Sequence, residues 1–295
     1  MTTFAIDAPA KINLHLEILG RREDGYHDIR SLFASVNLCD RLRLTPAGPG
    51  SGDRIRDLIP DVEDERNTIV RAVALFRRET GWTGNCAVSV EKRIPLGAGL
   101  GGGSSDAAAT LLLCNRAAGF PLDDATLLRL GAEIGSDVPF FLKGACAVVE
   151  GRGERLFPVP PAAGCSVALL VPDFSVNTGE AYRWYDQLPL TPPRSGLSRE
   201  EIVNAFSRAP VEEWNFFNSF SSVLFARYPL FAELRKRLRD GGAQLSGVSG
   251  SGSSYFGVFS DDGQARACID KIKGPFRFAG VVEPLLEMPA VQEIS

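Results

Sequence analysis

Histidine is nearly absent from this 295-residue sequence: His15 and His27 are the only two. The six cysteines (Cys39, Cys86, Cys114, Cys146, Cys165 and Cys268) are scattered, with no CxxC pair and no Cys/His cluster. These scarcities argue against a zinc site. Most of the cysteines lie in apolar contexts such as ACAVV and GCSVALL, which predicts buried free thiols in a reducing compartment. An excess of positive charge is also missing. With 32 basic and 36 acidic side chains the net charge is −4, so no global field draws nucleic acid or an anionic membrane. No apolar run reaches the roughly 20 residues that span a bilayer. The N-terminal MTTFAIDAPAK has no signal-peptide pattern, so a cytoplasmic location is expected. A GxxxxGK[ST] motif is lacking, which excludes a Walker A loop.

What remains is an ordinary globular chain. Its 44% apolar and 23% charged content suits a soluble fold with a real core, in one large or two medium domains.

The most distinctive stretch is PLGAGLGGGSSDAAA, Pro95 to Ala109. Glycine lets a backbone fold tightly and bring several N–H groups to one point. Ser104, Ser105 and Asp106 are credible N-caps for a helix expected over 105–118. A glycine turn feeding a helix N-terminus makes an anion site, with convergent donors at the positive end of a helix dipole. A flexible Gly/Ser linker would run on into polar sequence. This stretch is instead framed by the strand-like CAVSVEKRI and a helix. Gly97, Gly99 and Gly102 also fit a GxGxxG dinucleotide fingerprint. That reading wants an acidic residue at a strand end some 20 residues on, and the sequence there, LDDATLL, is helical.

Residues 11–19 alternate, with Ile12, Leu14, Leu16 and Ile18 facing a core and Lys11, Asn13, His15 and Glu17 the other side. A turn follows at Asp24-Gly25, then the strand-like IRSLFASVNL and RLRLT. Residues 46–66 read as an irregular excursion. Asn67-Thr68 opens a helix with the stripe Ile69, Ala72, Val73 and Phe76, stopped near Gly81. Further helices are expected over 123–134, 178–187, 198–207, 212–226, 229–239 and 263–272. A hairpin turns at Gly151–Gly153, and SVALLVPD and 277–283 are strands. Residues 188–197 form a Pro-rich surface loop. A second glycine cluster, GVSGSGSS, lies between two strand-like pieces. Strands and helices alternate without a regular βαβ beat, which suggests α+β rather than a doubly wound sheet.

Phosphoryl transfer needs a group to orient or deprotonate the acceptor hydroxyl, and cations to hold charge on the moving group. Asp137, after a helix stop and beside the apolar PFFL, suits the first role; a plain helix cap is its alternative. Lys11 suits the second, with a solvated strand-edge lysine as the alternative. Asn13 shares its face. Tyr26 and His27 offer an aromatic face and a hydrogen-bonding ring, suited to a planar base or sugar. An ordinary loop-surface pair is the bland reading.

PLGAGLGGGSSDAAA resembles the ATP-phosphate loop of the GHMP kinase superfamily. APAKINLHLEILGRREDGYHDIRSLF and GSDVPFFL resemble, in the matching order, the branch whose acceptor carries a cytidine diphosphate group. The resemblance implies an α+β, two-domain fold with the active site between the domains. A ribosomal-protein-S5-like, ATP-binding domain would span residues 1–160, and a ferredoxin-like domain residues 161–295. It implies ATP and Mg²⁺ as cofactors. It also implies transfer of the γ-phosphoryl group to the 2-hydroxyl of a cytidine-diphosphate-linked methylerythritol, a step of non-mevalonate isoprenoid synthesis.

By the same resemblance, Asp137 is catalytic and Lys11 its partner. Pro95, Leu96, Gly97, Ala98, Gly99, Leu100, Gly101, Gly102, Gly103, Ser104 and Ser105 hold ATP, with Asn67 in the adenosine pocket. Ser104 or Ser105 helps hold the Mg²⁺. Asn13, Tyr26, His27, Thr178 and Tyr182 line the substrate site, His27 bonding the cytosine between the rings of Tyr26 and Tyr182. The implied partner is a small molecule with a cytidine diphosphate group, with no nucleic acid and no membrane, and the chain a monomer or homodimer. One departure is visible. Where the superfamily branch reads Asn-Asp-apolar-Glu, this chain has Asn218-Ser219-Phe220-Ser221, so no role is carried over to that segment. Two other readings stay open: another GHMP kinase of homoserine or mevalonate type, and a nucleotide-binding regulator without catalysis. The KINL and DGYH segments speak against the first, and the presence of both Lys11 and Asp137 against the second.

Overall fold

The computed structural model describes residues 2–48, 52–56, 67–162, 164–188 and 194–294. Two long strands open the chain, β1 (Thr3–Arg21) and β2 (His27–Ala47). The turn between them falls where Asp24-Gly25 predicts it, with Gly25 at a φ of 85°, a region glycine enters without a side-chain clash. The two strand-like pieces expected after the turn form one continuous strand. β2 is long enough to take two different neighbours. Its residues Arg41–Ala47 pair with β4 (Asn85–Glu91), and Ile29–Ala34 pair with β5 (Cys146–Gly151). β6 (Arg155–Pro158) completes the hairpin expected after β5. β3 (Arg54–Arg56) lies parallel to β4, a short strand inside the excursion expected to be irregular. Residues 49–51 and 57–66 of that excursion lie outside the described residues.

Four helices share one core with this sheet: α1 (Thr68–Thr80), α2 (Gly102–Ala117), α3 (Asp124–Ile134) and α4 (Val138–Lys143). Ile69, Phe76, Leu111, Leu130 and Phe140 pack with Ile6, Leu42, Leu44 and Val88. α1 follows its sequence signals closely. Asn67 caps it, the stripe Ile69, Ala72, Val73 and Phe76 is buried, and Gly81 ends it in the left-handed region.

A second antiparallel sheet has the order β10-β7-β9-β8, built from β7 (Ser166–Pro172), β8 (Leu245–Val248), β9 (Tyr255–Phe259) and β10 (Phe276–Val282). The helices of this half are α5 (Thr178–Asp186), α6 (Arg199–Arg208), α7 (Ser221–Arg227), α8 (Pro229–Asp240) and α9 (Asp262–Lys271). The single helix expected over 212–226 is not formed. Val211–Glu213 makes one 3-10 turn, and the chain then runs extended before α7. The reason is tertiary. Leu16 N–H donates to the Phe217 carbonyl at 2.8 Å, and Ser219 N–H donates to the Leu16 carbonyl at 2.8 Å. Trp214, Phe216, Asn218 and Phe220 are all buried, a period of two that belongs to an extended segment. Residues 189–193 of the Pro-rich loop lie outside the described residues.

A central core joins the two halves. Ile12 and Leu14 of β1 and Val148 of β5 pack with Leu169 of β7, Phe256 of β9, Phe206 of α6 and Trp214. The last strand, β11 (Gln292–Ile294), returns to pair with β1. The first sheet therefore takes its outer strand from beyond the division expected after residue 160. All six cysteines are free thiols, and burial pushes Cys86 and Cys146 up to about 12, so they stay protonated.

Leu111 lies at the centre of the first core, fully buried on α2. Leu111→Ala should cost about 2–5 kcal/mol through lost transfer energy and a residual cavity. A denaturant midpoint that shifts accordingly with an unchanged slope checks this.

Candidate active site

β1 carries its polar side chains into the join between the halves. The sequence alternation suggested one buried face, yet Lys11, Asn13, His15 and Glu17 are each no more than 4% exposed. A register shift between Asn13 and His15 re-aims the strand there. Lys11 N–H donates to the Leu100 carbonyl at 2.9 Å, fixing the strand to the glycine loop. Its ammonium donates to Asn13 Oδ1 at 2.6 Å, stands 3.8 Å from Asp137 Oδ2 and lies 4.6 Å above the Phe33 ring. Burial pushes the Lys11 pKa down, and the Asp137 charge opposes that shift. Asn13 is held in turn by Ser31, whose Oγ accepts from Nδ2 at 3.0 Å.

Asp137 occupies the N-cap position of α4, but its side chain makes no capping bond. The carboxylate is 31% exposed and turns to Lys11 and a cleft of about 770 Å³. The capping alternative thus fails on geometry.

The glycine loop alternates into the left-handed region at Gly97, Gly99 and Gly101, with φ of 62°, 78° and 73°. α2 starts at Gly102, three residues earlier than expected, with Gly101 as its cap and no side-chain capping bond. Ser104, Ser105 and Asp106 are therefore not caps; they lie within the helix. Crowding explains the choice of glycine: a Cβ on Gly102 would stand 3.0 Å from Ile94 Cγ2. The expected loop also divides by task. The Ala98, Gly99 and Leu100 carbonyls accept from Ser254 N–H, Ser249 Oγ and Lys11 N–H. The first-turn amides at Gly102, Gly103 and Ser104 are those a helix cannot satisfy by itself. Ser105 is fully buried and lines a separate cavity behind α2. Its Oγ has no partner, so of the two serines only Ser104 fits a metal-side role. Among the described residues no group of three or more His, Cys, Asp and Glu side chains could hold a metal ion.

The second glycine loop packs directly on the first. A Cβ on Gly99 would meet the Ser249 carbonyl at 2.4 Å and the Gly252 carbonyl at 2.9 Å. Ser249 Oγ also accepts from the Asn13 N–H at 3.2 Å. Sequence reasoning left Asn218 without a role. In the structure its carboxamide donates to the Val248 and Gly250 carbonyls at 2.8 and 2.7 Å, holding this second loop.

On the opposite wall, His27 Nε2 lies 2.7 Å from Asp186 Oδ1, and its ring stacks on Tyr182 at 4.5 Å. Tyr182 also meets Phe220 edge-on, and burial raises its pKa to about 12. The expected sandwich is not preformed. Tyr182 packs on His27, whereas Tyr26 is 59% exposed with the Arg152 guanidinium 4.8 Å from its ring centre. Thr178 Oγ1 lies 2.9 Å from Ser251 Oγ, joining α5 to the second loop. Asn67 accepts from Ile69 N–H as the cap of α1, and neighbouring Thr68 donates to the Gly103 carbonyl at 2.8 Å. The structure thus brings Lys11, Asn13, Tyr26, His27, Gly99, Gly101, Asp137, Thr178 and Tyr182 onto one cleft. Asn67, Pro95–Ala98, Leu100 and Gly102–Ser105 lie outside that lining. Asp186 was missed, because one acidic residue on a helix carries no signal of its own.

Two sheets joined by a shared core, with paired glycine loops between them, are the architecture of a GHMP-type kinase. Models of the GHMP kinases N terminal domain and the GHMP kinases C terminal domain match residues 67–145 and 200–277. A 4-diphosphocytidyl-2-C-methyl-D-erythritol kinase from Symbiobacterium thermophilum is 38% identical over 283 residues, covering 95% of this chain and 99% of its own. A crystal structure of 4-(cytidine 5'-diphospho)-2C-methyl-D-erythritol kinase superposes with a TM-score of 0.79 at 36% identity, over 94% and 98% of the two chains. Homoserine kinase from Cytophaga hutchinsonii superposes at 0.72, over 99% of this chain and 97% of its own, but is 18% identical, a likeness of fold alone. The chain belongs to the 4-diphosphocytidyl-2-C-methyl-D-erythritol kinase family of the GHMP kinases.

Lys11 is a buried cation whose carboxylate partner keeps access to water. Lys11→Met retains the packing on Phe33 and removes the desolvated charge. The melting temperature of this variant should stay level or rise; a fall of several degrees would show that the ammonium is needed for folding.

Proposed function

We propose that the chain transfers the γ-phosphoryl group of ATP to the 2-hydroxyl of 4-diphosphocytidyl-2-C-methyl-D-erythritol, a step of non-mevalonate isoprenoid synthesis. The observation that carries this reading is the uncapped Asp137 carboxylate 3.8 Å from the buried Lys11 ammonium, on a cleft bordered by two glycine loops.

The triphosphate lies at the N-terminus of α2, where the amides of Gly102, Gly103 and Ser104 and the helix dipole meet its charge. Asp137 orients the acceptor hydroxyl and receives its proton as the oxygen attacks. Lys11, itself buried and held by Asn13, faces the charge that builds on the moving group. The transfer is in-line and direct, without a phosphorylated enzyme. Ser104 is the residue that would hold a nucleotide-bound Mg²⁺, which would supply further charge neutralisation there.

Cytidine recognition falls to the other wall. In the tautomer that donates Nε2–H to Asp186, the His27 ring leaves Nδ1 bare. Nδ1 is then a lone-pair acceptor, matched to the exocyclic amine of cytosine. Tyr182 backs the imidazole, and the exposed Tyr26 ring is free to stack on the base. Thr178 stands on the acceptor side of the cleft.

An ADP-release assay with the cytidine diphosphate substrate, mevalonate and homoserine tests the proposal. Turnover is expected with the first acceptor. Turnover with another acceptor instead, or ATP binding without any turnover, overturns it. Asp137→Ala should lose about 10²–10⁴-fold in kcat with the KM for ATP little changed. Near-normal turnover would remove Asp137 from the chemistry. His27→Ala should raise the KM for the cytidine substrate about tenfold, more than that for ATP; the reverse pattern would place the base elsewhere.

A further inference from the structure

At the start of β10 a bulge sends one arginine across to the first glycine loop. Phe276 pairs with Pro172 and Phe278 with Val171, so Arg277 stands between two ladder pairs as the extra residue. A bulge of this kind re-aims the side chain it carries. Phe276 and Phe278 pack against buried cores, whereas Arg277 is exposed. Its guanidinium reaches three separate segments. Nε donates to the Pro172 carbonyl at 2.9 Å, at the end of β7. Nη1 donates to the Leu96 carbonyl at 2.5 Å, in the first glycine loop. Nη2 donates to the Phe174 carbonyl at 3.1 Å and to Ser253 Oγ of the second loop at 3.4 Å.

The entry of the first loop has little else to hold it. The Leu96 side chain is 47% exposed. Among the described residues its carbonyl is bonded by Arg277 and by no other group. Gly97 follows in the left-handed region, and a Cβ on it would stand 3.2 Å from Ser175 Oγ. The loop entry therefore lies directly against the Phe174–Ser175 segment, and one guanidinium bonds a carbonyl on each side of that contact. Arginine suits the task because its donors form a planar fork of fixed geometry, where lysine offers a single point charge. The neighbouring segments have ties of their own. The Phe174 carbonyl also accepts from Ser253 Oγ at 2.6 Å, and Thr178 meets Ser251. Further along the loop, the Leu100 carbonyl is held by the Lys11 N–H.

We propose that Arg277 is a positioning residue for the nucleotide: from the second sheet it pins the entry of the first glycine loop, so that the turn through Gly97, Gly99 and Gly101 is set before the triphosphate binds. This rests on the reading of Gly101–Ser104 as the phosphate site. A glycine-rich stretch released at its entry regains backbone freedom, which nucleotide binding must then remove. The cost falls on nucleotide affinity. Lys11, Asp137 and the acceptor wall keep their own bonds, so the chemical step and acceptor affinity are spared.

Calorimetry on the full chain with the magnesium complex of a β,γ-methylene ATP analogue tests this. Arg277→Gln should weaken binding about tenfold, through loss of the charge-assisted bond to the loop. In the assay with the cytidine diphosphate acceptor, the KM for ATP should rise by a similar factor, while kcat and the acceptor KM stay within about twofold. Arg277→Lys keeps the charge but cannot bridge the Leu96 and Phe174 carbonyls, so its binding should stay weak. Unchanged nucleotide affinity in Arg277→Gln overturns the proposal. Wild-type affinity in Arg277→Lys overturns it too, since charge alone would then suffice. A merely structural Arg277 would lower the melting temperature and the active fraction, cutting kcat with both KM values unmoved; that pattern also overturns it. Should Arg277→Gln fail to fold, the lysine variant decides. Gly103→Asp serves as the control for the site itself: a Cβ there meets nothing closer than Thr68 Oγ1 at 3.8 Å, and its carboxylate repels phosphate. Undiminished nucleotide binding by that variant sinks the phosphate site. Lost binding there, with an unchanged Kd in both Arg277 variants, sinks only the role of Arg277.

Discussion

Backbone-to-backbone contact at Gly99 is the constraint on which the rest of this structure depends. A single added carbon at that position would overlap the Ser249 and Gly252 carbonyls. The first loop therefore meets the second with no side chain between them, and three polar bonds lock the contact. Ser254 N–H reaches the Ala98 carbonyl, Ser249 Oγ reaches the Gly99 carbonyl, and Asn13 N–H reaches Ser249 Oγ. Two sheets from distant parts of the chain are placed against each other by this contact. Substituting at Gly99 would disturb more than the loop, because Lys11 and Asn13 take their positions from the same junction.

Electrostatics follow from that placement. Covering the polar face of β1 strips water from Lys11, Asn13, His15 and Glu17 together. His15 responds as a neutral ring, its pKa lowered to about 4 by burial. Its Nδ1 accepts from the Phe217 N–H, a structural task. Lys11 is costlier to keep charged, and it is compensated by one carboxamide, one ring face and one carboxylate with access to water. Such an ammonium holds its charge at moderate distance from Asp137 rather than in a tight pair. A cation that is not fully satisfied keeps bonding capacity for an arriving anionic group. Glu17 is instead consumed by the loop after α5, where Ser195 Oγ donates to it at 2.7 Å. Polar residues of one strand face thus serve a cleft at one end and packing at the other.

Much of the architecture was legible in the residues, and the failures have identifiable causes. α1 announced itself through a cap, an apolar stripe and a terminal glycine, all local signals. Composition alone marks the glycine loop as an anion cradle, and three separated motifs mark the family. The helix expected over 212–226 was lost to a long-range bridge with Leu16, which no local window contains. Ser104, Ser105 and Asp106 have good capping chemistry, yet Gly101, in the left-handed region and crowded by Phe141 and Lys11, takes the cap position of α2. Of the site, Lys11, Asn13, His27 and Asp137 could be named in advance. Asp186 and Asn218 could not. Their partners lie far along the chain, and isolated carboxylates and amides look alike until folding brings them together.

The return of β11 to β1 has a consequence for how the molecule is made. The first sheet holds strands from both ends of the described chain, and the whole second half is inserted between them. During synthesis the N-terminal strands emerge first, yet the Thr3–Ala5 edge of β1 stays open until residues 292–294 appear. Until then the growing chain presents an unpaired strand edge to its surroundings. The closing strand is only three residues long, enough to cap that edge but too short to template another chain by itself. The last residues of the described chain act less as catalyst than as the clasp that finishes its first sheet.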